Sequence, residues 1–325
     1  MDIQNLLRLS SRTFAIGIER LPRTLSNATT IAYLLLRVSD YLEDNEDMKV
    51  SDKILLLNLW ISVLRKEATV EELTKQLSGS DENNPDALVA QHAKEILMQL
   101  YALPLVLQEI IIHHVIKSTQ GMARWTKTGP KVDNEADLDD YMFEVAGRVG
   151  YLVTQLFAWH SDEVRRKEEK IMPLAREFGL GLQTVNIIRG LREDFDRGWV
   201  YVPNNFLSEV GISSEELFDP SQRLKALRVL DLLTNKAERH LKNALEYVKF
   251  LPWWEHGIRI GCILPLLFAI RTLSLSRSNA QVFESEAKMT REEVRKIVLH
   301  STLWGWSNFW LDRYYNKLST MGNKL

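Results

Sequence analysis

Asp40 and Asp44 stand one helical turn apart in the stretch Tyr33-Leu-Leu-Leu-Arg37-Val-Ser-Asp40-Tyr-Leu-Glu43-Asp44, with Arg37 a turn earlier in an otherwise apolar run. Side chains four apart share a helix face, so two like charges there repel unless a cation or water lies between them. A hard divalent ion such as Mg²⁺ suits the pair, because it keeps several waters and bridges one or two carboxylates to substrate phosphates. A solvated acidic helix end is the competing explanation. Glu46 and Asp47 follow closely and give it comparable weight.

A second segment shifts the balance. Gln183-Thr-Val-Asn186-Ile-Ile-Arg189-Gly190-Leu-Arg192-Glu193-Asp194-Phe-Asp196-Arg197-Gly198-Trp199-Val-Tyr-Val-Pro203 reads as a helix with Gln183, Asn186, Gly190, Asp194 and Arg197 along one face. Val185, Ile187, Ile188 and Leu191 interleave with them, so the polar stripe belongs to a largely buried helix. Polar groups on such a helix are costly unless they are paired or bind something. Two acidic, Arg-flanked helices far apart in sequence suggest a diphosphate held by metals on both walls of one cavity.

At this point the chain resembles the squalene and phytoene synthases, the head-to-head trans-isoprenyl diphosphate synthases, with squalene synthases the nearer branch. The resemblance spans nearly the whole sequence and rests on five motifs in order. Ser11-Arg12-Thr13-Phe14 with Leu21-Pro22 is similar to the family's flap, and Tyr33 to Asp44 to its first aspartate-rich motif. Tyr141-Met-Phe-Glu-Val-Ala-Gly147-Arg-Val-Gly150 resembles its Tyr-x-x-x-Val-Ala-Gly-x-Val-Gly segment. Gln183 to Pro203 corresponds to the second aspartate-rich motif, and Lys288-Met-Thr-Arg291 to a basic C-terminal element.

Two positions depart from the family pattern. Gly190 stands where an aspartate follows Asn-x-x-Arg, and Trp199 where a basic residue precedes Val-Tyr-x-Pro. The remaining spacing, Asn186-x-x-x-Gly190-x-x-x-Asp194, resembles the metal triad of class I terpene cyclases with its middle ligand missing. The expectation is that Asn186 and Asp194 still hold Mg²⁺ with water at the glycine, since Glu193 and Asp196 point away from this face.

What the resemblance implies is a Mg²⁺-dependent prenyltransferase joining two prenyl diphosphates through a cyclopropylcarbinyl diphosphate, presqualene diphosphate if both are farnesyl diphosphate. Squalene or a related C30 product is favoured, with NADPH needed only for squalene. Asp40 and Asp44 would hold metal on one side, Asn186 and Asp194 on the other. Ser11, Arg12, Arg37, Gln183, Arg189 and Arg197 would bind substrate, Arg's planar fork suiting phosphate oxygens. Tyr33 would orient the diphosphate, Tyr141 assist proton removal or steer the cation in the first coupling step, and Lys288 and Arg291 meet a nucleotide phosphate. Arg192 is better read as a surface ion-pair residue. Alternatives are C40 coupling of the phytoene synthase type, a class I cyclase acting on one diphosphate, or a non-catalytic scaffold that has kept the fold.

The elements that must position these residues are helices. Helical periodicity runs over Ile3 to Arg20, Asn27 to Glu43, Ser51 to Lys66, Pro85 to Tyr101, Leu105 to Trp125, Leu138 to His160, Arg165 to Arg197, Gln222 to Leu251, Glu255 to Ser274 and Thr290 to Leu318, with no sustained strand alternation. The expected fold is all-α, a single-domain isoprenoid synthase-type bundle over residues 1–325 around a central cavity. Trp304, Trp306, Phe309, Trp310, Tyr314 and Tyr315 offer rings for carbocation stabilisation, although packing is the commoner meaning of such a stripe.

Composition narrows the partners. Lys+Arg 41 against Asp+Glu 43 argues against a nucleic-acid surface. Cys262 is the single cysteine, which excludes an internal disulfide and a cysteine-rich metal site. His113-His114 lies on diverging faces without a spaced third ligand and reads as structural. The apolar run from Gly257 to Leu275 contains Arg259, Pro265 and Arg271, and reads as a core helix rather than a ~20-residue membrane span. Met1-Asp2-Ile3-Gln4 carries no basic leader, so the expected location is cytoplasmic, with transient membrane contact from a lipid substrate; oligomeric state is left open.

Overall fold

The computed structural model describes residues 2–77, 84–129 and 131–322, the side chain of Arg12 excepted. Its α-helices in chain order are α1 (Ile3–Ser10), α2 (Arg12–Ile18), α3 (Arg23–Asp44), α4 (Val50–Leu64), α5 (Val70–Gln76), α6 (Pro85–Gln91), α7 (Ala93–Tyr101), α8 (Leu105–Thr128), α9 (Glu135–Met142), α10 (Arg148–His160), α11 (Asp162–Asp196), α12 (Asn204–Val210), α13 (Arg223–Phe250), α14 (His256–Ser276), α15 (Arg291–Trp304) and α16 (Asn308–Thr320). A π-helical turn, Phe143–Gly147, joins α9 to α10, and no strand occurs among the described residues.

Several expected helices are subdivided, each at a local signal. Pro85 to Tyr101 is α6 and α7, meeting at His92. Thr290 to Leu318 is α15 and α16, because Ser307 accepts from the Trp310 amide and starts a new helix. The helices α5 and α12 carry too few apolar residues for periodicity to reveal them. Pro265 does not break the apolar run; α14 continues through it. The stretch before Pro85 that shows no helical periodicity includes residues 78–83, which lie outside the described residues, and Asn84 caps α6 by accepting from the amides of Asp86 and Ala87.

The chain divides into two compact units, Met1–Gly129 with Tyr151–Glu168, and Pro130–Gly150 with Glu169–Leu325. The first boundary falls at Gly129-Pro130 and the others inside α10 and α11, so no linker composition marks them.

In unit 1, α3 is the central helix, packed by α1, α4, α6, α7 and α8. Leu25, Ala28, Ile31, Leu34, Leu35, Val38 and Leu42 are all fully buried along it. Each large apolar side chain so buried contributes roughly 1.5–3 kcal/mol. One hydrogen bond deep in this packing, Ser39 to Thr119 at 2.7 Å, fixes α3 against α8. His114 meets Gln155 at 2.9 Å, a structural role.

In unit 2, α13 and α14 form the core pair and α15 and α16 pack on α14. Among the described residues, α14 is the one helix long and apolar enough to cross a membrane, and most of it is buried in this unit. Cys262 lies inside it, its thiol pushed up to about 12 by burial. Arg259, also buried, donates to the backbone oxygens of Val248, Leu251 and Gly305 and to Asn308 Oδ1, tying the end of α13 to the α15–α16 junction. The aromatic stripe read as a possible cavity lining is largely on the surface instead: Trp304, Trp306 and Phe309 are 50%, 50% and 70% exposed, and Tyr315 is buried. What those helices bury is mainly aliphatic, Ile297, Leu311 and Leu318, while Leu299 and Leu303 of α15 are exposed beside the tryptophans.

Candidate functional site

In unit 1, Tyr33, Arg37, Asp40 and Asp44 follow one another along one face of α3. Arg37 Nη1 donates to Asp40 Oδ2 at 3.0 Å, and Arg37 Nε lies 3.2 Å from Asp86 Oδ1. The guanidinium also stands 5.9 Å from the Tyr33 ring centre. The side chains of Ser10 and Ser11 act on the Tyr33 phenol, and Phe14 tilts against its ring at 6.1 Å. Ser11 caps α2 by accepting from the Phe14 amide at 3.2 Å, which explains the flap motif's serine locally. The side chain of Arg12 lies outside the described residues.

Charge in this cluster is unbalanced toward acid. Burial pushes the Asp40 carboxyl up, and the pull of Arg37 does not cancel it while Asp86 adds repulsion. Glu43 is buried and pushed well up by desolvation and by Asp44 and Asp40. Asp86 is raised by burial, against Arg37 and with Asp44 repelling it. Arg37 is held charged, since Asp40, Tyr33 and Asp86 outweigh its own burial. Asp44, at the last turn of α3, is exposed. Glu43 Oε1 is buried without a hydrogen-bond partner among the described residues. An acidic surplus of hard oxygen donors fits a divalent cation such as Mg²⁺. Among the described residues no three His, Cys, Asp or Glu side chains stand together ready to hold a metal. A two-carboxylate set leaves the other positions to water and phosphate oxygens.

In unit 2, α11 buries Val185, Ile187, Ile188 and Leu191 and carries the polar stripe beside them. Asn186 Nδ2 reaches Gln183 Oε1 at 3.4 Å, and Asp194 Oδ1 accepts from Arg197 Nη2. A Cβ built on Gly190 would meet only Asp194, Oδ2 at 3.5 Å. Arg192 forms a two-bond pair with Asp196 at 3.0 and 2.6 Å, the surface role read from the sequence, and Arg189 is exposed. Beyond the helix, Trp199 stacks on Tyr201 at 5.7 Å and Tyr201 on Tyr141 at 4.6 Å, with the Tyr141 hydroxyl donating to that of Tyr201 at 3.0 Å. The tryptophan that replaces a basic residue thus ends an aromatic ladder built on Tyr141. Lys288 pairs with Glu286 at 2.8 Å on an exposed segment, and Arg291 opens α15, also exposed.

Sequence reading passed over two features. Asp86 carried only a helix-start signal, Asn84-Pro85-Asp86, and its pairing with Arg37 comes from a different helix. A buried charged network in unit 2 was also missed. Lys236 Nζ meets Asp139 at 2.5 Å and Glu135 at 3.3 Å, while His240 meets Glu177 at 2.7 Å and Asp139 at 3.5 Å. The available signal was Lys236-x-x-x-His240 on the apolar face of α13. This network anchors α9, and with it Tyr141, to α13.

Comparison with known proteins returns one consistent group. Residues 7–293 match the squalene/phytoene synthase family. Squalene synthase of Schizosaccharomyces pombe is 31% identical over 301 residues, covering 91% of this chain and 64% of that protein. Squalene synthase BSS of Botryococcus braunii is 29% identical over 305 residues, covering 91% and 63%. The chain therefore spans somewhat less than two thirds of these relatives' length. A solved ligand complex of TcSQS aligns with a TM-score of 0.84 at 25% identity, covering 99% of this chain and 92% of that one. Squalene synthase HpnC from Alicyclobacillus acidocaldarius shares the fold, with a TM-score of 0.55 at 17% identity over 94% and 93%.

Proposed function

The chain belongs to the squalene/phytoene synthase family, and from that premise we propose that it is a prenyltransferase condensing two prenyl diphosphates head to head, farnesyl diphosphate in both halves. The observation that supports this most is the α3 cluster, which sets a charged arginine, Arg37, between Asp40 and Asp86 with Tyr33 beside it and Asp44 one turn on. It combines a phosphate-gripping cation with hard oxygen ligands on a helix that the core holds rigid. The names of the curated relatives support the C15 substrate, since those compared are squalene synthases.

In this reading Asp40 and Asp44 hold Mg²⁺ in unit 1, and Asn186 and Asp194 hold it in unit 2. The bound ion supplies positive charge that stabilises the departing diphosphate. Arg37 and Arg197, each paired with a carboxylate of its own helix, would grip diphosphate oxygens. Tyr33, fixed by Ser10, Ser11 and Phe14, orients the leaving group. The Tyr141–Tyr201 hydroxyl pair would guide the proton lost when the double bond of one chain closes onto C1 of the other, whose diphosphate departs, to give a cyclopropylcarbinyl diphosphate; the departed diphosphate is the base that keeps the proton. Lys288 and Arg291 are assigned to a nicotinamide nucleotide, which supplies hydride if the product is squalene.

Incubating the purified protein with farnesyl diphosphate and Mg²⁺, with and without NADPH, and identifying the extracted lipid tests the proposal. A C30 hydrocarbon is expected, with NADPH deciding between squalene and a product made without reductant. A C40 lipid formed preferentially from equal farnesyl and geranylgeranyl diphosphate overturns the chain length. A product from a single diphosphate indicates a cyclase, and no consumption of any prenyl diphosphate overturns the enzymatic reading.

A further inference from the structure

We infer that Asp86 is a positioning residue that shares Arg37 with Asp40, so that Arg37 keeps a counter-charge when a divalent cation takes the Asp40 carboxylate. The inference rests on the proposed reading of the α3 cluster as a diphosphate and metal site.

The geometry is specific. Asp40 and Arg37 lie three apart on α3, and by themselves they would form a closed intrahelical pair in which the arginine covers the metal-binding oxygen. Asp86 approaches from α6, a helix packed against α3, and its Oδ1 lies 3.2 Å from Arg37 Nε. Both of those atoms are sealed from solvent. The side chains of Arg37, Asp40 and Asp86 are 29%, 29% and 31% exposed, so the charges are partly desolvated and a lost partner cannot be fully replaced by water.

The position of Asp86 is itself fixed. Pro85 sits in the first turn of α6, and the Asp86 amide donates to Asn84 Oδ1 at 2.9 Å. Asp86 is therefore set by a helix start and can hold the guanidinium from one side while Asp40 changes partner. Without it, Asp40 is the one close carboxylate left to Arg37 among the described residues, and Arg37 competes with the cation for that group.

The test is direct ion binding. Mn²⁺ affinity in the presence of inorganic pyrophosphate is measured by electron paramagnetic resonance for the wild type, Asp86→Asn, Arg37→Gln and the double variant, with circular dichroism confirming the fold. Asp86→Asn is expected to weaken Mn²⁺ binding by roughly tenfold, the scale of a lost supporting partner at a metal site. In the Arg37→Gln background the same change should have no effect, because the competing cation is gone. Asp86→Glu should restore wild-type affinity, and if the amide variant does not fold, Asp86→Ser takes its place in the cycle with the same loss expected, since it too removes the carboxylate beside Arg37. Equal weakening in both backgrounds would make Asp86 a metal ligand and overturn the inference. Unchanged binding in Asp86→Asn would overturn it as well. A wild type that binds no Mn²⁺ with pyrophosphate would overturn the reading of the α3 cluster itself, a result distinct from the other two.

Discussion

Gly190 and Asp40 carry the sharpest consequences at the scale of single residues. A Cβ at Gly190 would meet nothing closer than Asp194 Oδ2 at 3.5 Å, an ordinary contact, so the backbone there accepts a side chain. Aspartate is also somewhat better than glycine inside a helix. Gly190→Asp is expected to fold and to lower the Mg²⁺ concentration needed for half-maximal diphosphate release, because it places a second carboxylate beside Asp194. An unchanged or raised Mg²⁺ demand in a titration of the two proteins would refute the idea that water substitutes at this position. Asp40→Asn keeps the size of the side chain but removes the charge that faces Arg37 and, in the proposed reading, would hold the metal. Turnover should fall on the order of 10³-fold with an unchanged circular dichroism spectrum; near-normal turnover would remove Asp40 from the site.

At the scale of elements, the junction of α9, the π-turn and α10 with α11 is set by backbone contact. A Cβ on Gly150 would lie 2.1 Å from the carbonyl oxygen of Ala175, and one on Gly179 would lie 2.3 Å from that of Ala146. The two segments therefore touch main chain to main chain, and the glycines of the Val-Ala-Gly-x-Val-Gly motif are packing residues. The π-turn accommodates the extra residue in that contact and sits just after Tyr141, a placement common at functional sites. Gly179→Ala should lower stability by about 1–3 kcal/mol, the scale of overpacking a tight interior. Urea unfolding checks this, and a loss below about 0.5 kcal/mol, within the range of ordinary surface substitutions, would mean the helices separate easily.

For the molecule as a whole, the buried network of unit 2 makes stability depend on pH. Burial disfavours charge on His240, but its bonds to Asp139 and Glu177 win and raise its pKa. A raised histidine stabilises fully below its unfolded value of about 6.5, and that contribution is lost as pH rises through the folded value. Asp139 is lowered: burial pushes it up, and His240 and Lys236 outweigh burial. Glu177 is lowered chiefly by its bond to His240. Their contributions are present above their unfolded values of about 3.9 and 4.3 and are lost as pH falls through the lower folded ones. The network therefore stabilises most between roughly pH 4.3 and 6.5. Thermal unfolding across pH 5 to 9 should show the melting temperature declining above about pH 6.5 in the wild type, and a flatter profile in His240→Gln. Parallel profiles would show that the network does not govern this dependence.

The sequence by itself was enough for the helical class, the family resemblance and the order of the site motifs, because these depend on local spacing. Asp40 and Asp44 share a face whenever the segment is helical, and Gln183 to Arg197 shows its polar stripe and buried flank in the same way. The tertiary structure decided what depends on residues far apart in the chain. Asp86 pairs with Arg37 across 49 positions, and Lys236 and His240 reach back to Glu135, Asp139 and Glu177. The stack of Trp199 and Tyr201 on Tyr141 gives a role to a tryptophan that had read only as a lost base. Periodicity reports which face of a helix is apolar, but not which helix covers it, so the partners of buried charges emerge only from packing.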